Sequence, residues 1–186
     1  MSLDPAAKGE TDMKWTNIGP GIVLVVCCVV ALPAMSLGCL QAGAQERAEF
    51  DAFFDKVTKA EAELFRGRPE SLKALWSRAS DVTLFGVSGG SGDHGWEQVG
   101  SRLDWTNTQY RDGTLTVERI ASYVDGDLGY VVQREKVWFK VPGQTADSIL
   151  EIRATWIFRR ERDGWHIIHR HADSLMRRQG PADAKK

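Results

Sequence analysis

The spacing of apolar and polar residues divides the chain into stretches of different character. Residues 22–32 (IVLVVCCVVAL) are an unbroken apolar run, inside a gap from Lys14 to Glu46 that holds no charged side chain. Over residues 45–66 the pattern changes: Phe50, Phe53, Phe54, Val57 and Leu64 recur at three- and four-residue spacings with charges between them. That periodicity predicts a long amphipathic helix. Gly67 ends it, and Pro69 opens a short second helix with Leu72, Leu75 and Trp76 on one side. Residues 81–87 (DVTLFGV) are a β-rich run, followed by the loop Gly89-Gly90-Ser91-Gly92-Asp93. Asp93 is the expected N-cap of a third helix, in which Trp96, Val99 and Leu103 keep helical spacing.

The second half reads as strands. Residues 114–124, 128–141, 148–160 and 165–175 are rich in β-branched and aromatic side chains, and Asp125-Gly126, Pro142-Gly143 and Asp163-Gly164 punctuate them. They predict an antiparallel meander. Helices followed by such a sheet make an α+β protein, expected here as a conical half-barrel of curved antiparallel sheet packed on the N-terminal helices, with an internal cavity.

Charge and cysteine usage set the first 44 residues apart. Lys14, the apolar run, Pro33 and then Ala42-Gly43-Ala44 have the layout of a secretory signal with cleavage after Ala44, Met13 being the natural start of its basic region. The alternative is an uncleaved anchor, since residues 21–40 are uncharged and long enough to span a bilayer; Pro33 argues against it by interrupting a longer helix. A lipoprotein site at Ser36-Leu37-Gly38-Cys39 fits less well, its aliphatic residue standing one place too close to the cysteine. The domain boundaries expected are residues 1–44 for the signal or anchor, 45–176 for one folded domain and 177–186 for a flexible tail. A periplasmic or secreted location follows, with membrane contact only if the N-terminal segment is retained.

After Ala44 acidic and basic side chains are equal in number and cysteine is absent. The balance removes the electrostatic footprint of a nucleic-acid binder, and disulfide and thiolate chemistry are excluded. The glycine loop lacks the Lys-Ser/Thr that a phosphate cradle needs, so it reads as a lid or a connector.

The order helix, helix, Asp81-Val-Thr strand, short helix and long strands ends in Arg153-Ala-Thr-Trp-Ile-Phe-Arg-Arg and Asp163-Gly-Trp-His-Ile-Ile-His-Arg-His171. In this it resembles the nuclear transport factor 2-like superfamily, and within it the SnoaL-like group, over about residues 50–174. The terminal Gly-Trp-x-x-x-x-His-x-His is also similar to the association domain of calcium/calmodulin-dependent protein kinase II. The resemblance implies the cone fold, a small organic ligand and a homodimer. It leaves function open, because the superfamily holds isomerases, dehydratases, hydrolases, assembly domains and binders. Ketosteroid isomerase chemistry needs a carboxylate base and two neutral donors, a tyrosine and a protonated aspartate. The first helix here has phenylalanines and no tyrosine, Phe85-Gly86 stands where that base would, and Arg153 and Thr155 stand where the buried acid would. That mechanism does not carry over.

Strand alternation yields a different constellation. With a hairpin centred on Gln144 and a five-residue turn over residues 160–164, Arg153 faces Glu135 and His171, and Thr155 faces His169. Trp165, Ile167, His169, His171 and Asp173 then share one face. The candidate ligand site is Glu135, Arg153, Thr155, His169 and His171, with Trp96 and Tyr130 as walls and Arg153 as anchor. His169 or Glu135 is the candidate catalytic base. Glu135–Arg153 also reads as a plain cross-strand ion pair, His169 as a core histidine, and His166 and Arg170 as solvent or interface residues on the opposite face. His169-x-His171 has metal-site spacing, with Asp173 or His94 as further ligands, but no third ligand is defined, and neither metal nor cofactor is expected. Trp76 and Phe85 read as core or cavity wall. Three readings remain: an exported binder of an organic acid or polyketide-like molecule, a lyase, isomerase or hydrolase, and an assembly domain. Exposed Trp138 or Trp156 on the sheet would favour dimerisation.

Overall fold

A computed structural model describes the backbone of residues 21–176 and the side chains of residues 41–176. Of the segment expected to be a signal or anchor, residues 1–20 and the side chains up to residue 40 lie outside the described residues, as does the whole of 177–186. Two compact units divide the chain, Met1–Gly43 and Ala44–Lys186. Helix α1 is Gly21–Leu64; it runs through Pro33, which does not end it as the sequence suggests. Among the described residues no helix is long and apolar enough to cross a membrane.

In the second unit the order is the end of α1, α2 (Glu70–Ala74), β1 (Thr83–Phe85), β2 (Asp93–His94), α3 (Trp96–Gln109), β3 (Arg111–Asp125), β4 (Leu128–Lys140), β5 (Asp147–Glu161) and β6 (Gly164–Ser174). The six strands form one sheet in the order β2-β1-β6-β5-β4-β3. The four long strands are the antiparallel meander that their turn residues predict, and the chain is α+β, with helices followed by a curved sheet. The sheet is mixed, because β1 joins β6 in parallel, on the side away from β5. Asp93 is not the cap of α3: it pairs with Leu84 in β2, and Gly95 occupies the cap position with φ 78°. A glycine is needed there because β2 passes directly into the helix through a left-handed residue.

Packing fixes the strand faces. Phe50, Phe53 and Phe54 of α1 meet Phe158 edge-on, and Phe50 meets Trp165, at centroid separations of 5.2–5.9 Å. Phe158 stacks on Trp156, which is fully buried and so is no part of an exposed sheet face. On β4 the buried positions are Gly129, Val131, Gln133, Glu135 and Val137. On β5 they are Ile152, Ala154, Trp156 and Phe158. The β4–β5 hairpin pairs Lys140 with Asp147, one residue out of the register expected from its turn, so Glu135 lies opposite Ile152 and not Arg153. On β6 the register shifts between Phe158↔Ile167 and Ile157↔His169, which makes Ile168 a bulge residue. Trp165 and Ile167 therefore face the core, whereas His169, His171 and Asp173 face the outside, and Arg170 and Ala172 turn inward.

Candidate functional site

The inward set assembles a different site from the one expected. Phe50, Phe54, Val57, Glu61 and Leu64 form one stripe of α1, and all five are buried. A glutamate stands in that apolar stripe, so it enters the core. Gln133 and Glu135 come from β4, Trp156 from β5 and Arg170, delivered by the bulge, from β6. Arg170 Nη2 donates to Glu135 Oε2 at 2.6 Å and to Glu61 Oε1 at 2.9 Å. Glu135 Oε1 accepts from Gln133 Nε2 at 2.8 Å and from Trp156 Nε1 at 3.4 Å. The Arg170 guanidinium lies 4.8 Å over the Trp156 ring.

One guanidinium facing two buried carboxylates leaves a negative charge without a partner, a costly arrangement in a dry interior. Burial, reinforced by the neighbouring charge of Glu135, pushes the Glu61 carboxyl up to about 8. Burial acts against the Arg170 charge, but Glu135 and Glu61 outweigh it and raise its pKa. With a proton on Glu61 the cluster is electrically neutral. Glu61 Oε2, Arg170 Nε, Gln133 Oε1 and Trp76 Nε1 are buried without a hydrogen-bond partner.

Glu61, Trp76 and Arg170 line a single cavity, together with Trp156, Tyr110, Phe65 and further apolar residues, so three of those unpartnered groups belong to its wall. The cavity measures about 40 Å³. A buried water needs at least roughly 10–15 Å³ on this measure, so there is room for no more than a few waters in this conformation. Its deep end is the buried Glu61–Arg170–Trp156 group; its open end is made by Gly86, Val87 and exposed Ser88 of the loop after β1 and by half-buried Arg102 and Thr106 of α3.

Of the residues expected in the site, Glu135 alone is in the polar cluster. Arg153 is exposed and lies 3.7 Å from Asp173, with His171 Nε2 3.4 Å from the same carboxylate oxygen. Thr155 pairs with His171 on that outer face. His169 is half-buried there; its Nδ1 is 2.7 Å from Thr83 Oγ1, and burial first, then the charge of His171, holds its pKa below the usual histidine value. Phe85 packs against both imidazoles. Trp96 is capped by the Arg78 guanidinium 3.5 Å above its ring and does not line the cavity. Tyr130 is exposed on the outer face beside Tyr123. Arg170, expected on the solvent side, is 8% exposed and central. The residues missed, Glu61 and Arg170, carried one legible signal between them: a charge on the apolar stripe of α1. Among the described residues, converging metal-type ligand atoms occur at Glu161, Asp163 and His166, not at His169 and His171.

A curved sheet packed on helices is consistent with the cone of the nuclear transport factor 2-like superfamily. The chain belongs to the SnoaL-like domain family, whose model matches residues 51–176. Among solved structures it is similar to a candidate dehydratase of the nuclear transport factor 2-like family from Streptomyces avermitilis (19% identity, 72% of this chain and 99% of that one, TM-score 0.62). It is also similar to a candidate scytalone dehydratase from Novosphingobium aromaticivorans (16%, 79% and 99%, TM-score 0.60). A third is a candidate calcium/calmodulin-dependent protein kinase type II association domain from Thiobacillus denitrificans (21%, 68% and 94%, TM-score 0.53). At these identities the likeness is one of fold. No curated protein matches the chain.

Proposed function

We propose that this SnoaL-like domain binds a small, mostly apolar organic molecule, an organic acid or a polyketide-like compound, inside the cone. The observation that carries this reading is the set of buried polar atoms without partners, Trp76 Nε1, Arg170 Nε and Glu61 Oε2, on residues that line one aromatic-walled cavity. Such groups are costly when left unmade, and a ligand oxygen would satisfy them. In the protonated form Glu61 adds a third donor. Because the cavity holds only a few waters when closed, the loop at its mouth must move to admit a ligand.

A second reading, proton-transfer catalysis of dehydration or isomerisation, is favoured by one feature: Glu61, held at about 8, exchanges its proton near neutral pH, where a general acid or base is most effective. In this catalytic reading Glu61 takes the role that the sequence suggested for His169, and in both readings Arg170 replaces Arg153 as the charged group inside the cone. The candidate dehydratases to which the fold is similar make this class of chemistry the first to assay. We further propose export with removal of residues 1–44 and pairing of two copies through the sheet.

The test is mass spectrometry of small molecules released by denaturing protein purified natively from its own compartment. Wild type should carry a stoichiometric organic compound that Arg170→Met has lost. Wild type without any such compound, and with no thermal shift from an organic-acid or polyketide panel, would remove the binding reading.

A further inference from the structure

Two arginines line the cavity, and their electrostatic situations are opposite. Arg170 at the deep end is paired with two carboxylates. Arg102 at the open end makes no ion pair with any described carboxylate; Asp93 and Glu97 border the groove outside it without pairing. Its Nη2 instead donates to the Gly89 carbonyl at 2.9 Å, and its guanidinium carbon is 4.5 Å over the Trp105 ring. Arg102 is therefore a positioned cation without a counter-ion, at the mouth of an apolar cavity.

Resting on the reading of the cone as a ligand pocket, we infer that Arg102 is the recognition residue for an anionic group, a carboxylate, on the ligand. The ligand is then an amphiphile, its apolar body in the cavity and its acid at the mouth. The charges decide the orientation. Glu135 already neutralises Arg170 and Glu61 occupies its other side, so an anion at the deep end would meet the Glu135 charge or displace a buried pair, whereas at Arg102 it meets an unneutralised guanidinium with a planar fork of donors.

Arg102 also ties recognition to entry. Its bond to Gly89 holds the loop whose Gly86, Val87 and Ser88 close the cavity. Gly89 and Gly90 have φ of +78° and +103°, and a Cβ on either would meet nothing within 4 Å; the Gly89 N–H closes a turn on the Gly86 carbonyl at 3.0 Å, so the bond to Arg102 is what ties this turn to α3. An anion that takes Nη2 from the Gly89 carbonyl releases this turn from α3 as it docks.

A matched pair of dyes tests this: 1-anilinonaphthalene-8-sulfonate and its uncharged parent N-phenyl-1-naphthylamine, which differ by the anionic group alone. Fluorescence titration of the full folded protein should give wild type about tenfold tighter affinity for the anionic dye, the worth of one charged hydrogen-bonding contact. Arg102→Gln should erase that preference while leaving the uncharged dye within about twofold, and Arg102→Lys should retain part of it. Arg153→Gln, on the outer face, should change neither. Equal affinity of wild type for the two dyes, or a preference that survives Arg102→Gln, would overturn the assignment of Arg102. Failure of wild type to bind the uncharged dye would overturn instead the pocket reading beneath it.

Discussion

Arg170 Nη2 lies 2.6 Å from Glu135 Oε2 although β6 and β4, which carry them, are separated by β5. The guanidinium crosses the intervening strand over the face of Trp156, and the indole N–H of that residue bonds to the same carboxylate. The long side chain thus joins three strands and, through Glu61, the helix that covers them.

Arg170→Met should lower the unfolding free energy by about 3–5 kcal/mol, because it leaves two carboxylates buried without their cation. Glu61→Gln and Glu135→Gln added to it should recover much of the loss, as an uncharged core no longer needs the arginine. Urea denaturation of the three proteins measures both effects. A single variant within about 1 kcal/mol of wild type would show that water reaches the cluster.

Glu61 makes stability depend on pH with a defined sign. Its folded pKa, about 8, is above the ordinary 4.5, so the folded state keeps a proton that the unfolded state releases. The contribution is complete below about 4.5, falls as pH rises and is spent above about 8. Over that window the Glu61 contribution should fall by up to about 1.4 kcal/mol per pH unit. Glu61→Gln imitates the protonated form and should remove this slope. Parallel stability–pH profiles of wild type and variant would refute the assignment.

The outer face of the sheet exposes Tyr123, Leu128 and Tyr130 beside half-buried Ile157. If two copies pair there, Ile157→Asp should convert a dimer to a monomer in sedimentation without altering the melting of the cone. Wild type that sediments as one chain at micromolar concentration would end the proposal.

Export should leave a mature chain that begins at Gln45. N-terminal sequencing of the soluble periplasmic or secreted fraction checks this. Recovery from membranes alone, with Met1 or Met13 intact, contradicts it.

What the sequence by itself determined is local. The stripe of α1, the short α2, the third helix and the ends of the four long strands follow from periodicity and from Asp-Gly and Pro-Gly turns, because each depends on residues a few positions apart. The sequence also carries Glu61 on the apolar stripe and the equality of charge that makes a buried ion cluster unremarkable in composition. What only the tertiary structure decided is which way the strands face. A side chain's face alternates with every residue, so the one-residue difference in the β4–β5 hairpin turned Arg153 and Thr155 outward, away from Glu135. The bulge at Ile168 did the same to His169 and His171 and turned Arg170 into the core. Register and bulges belong to the pairing of whole strands and their packing, here under the Phe50, Phe53 and Phe54 contacts with Phe158. No pattern within a single strand encodes them.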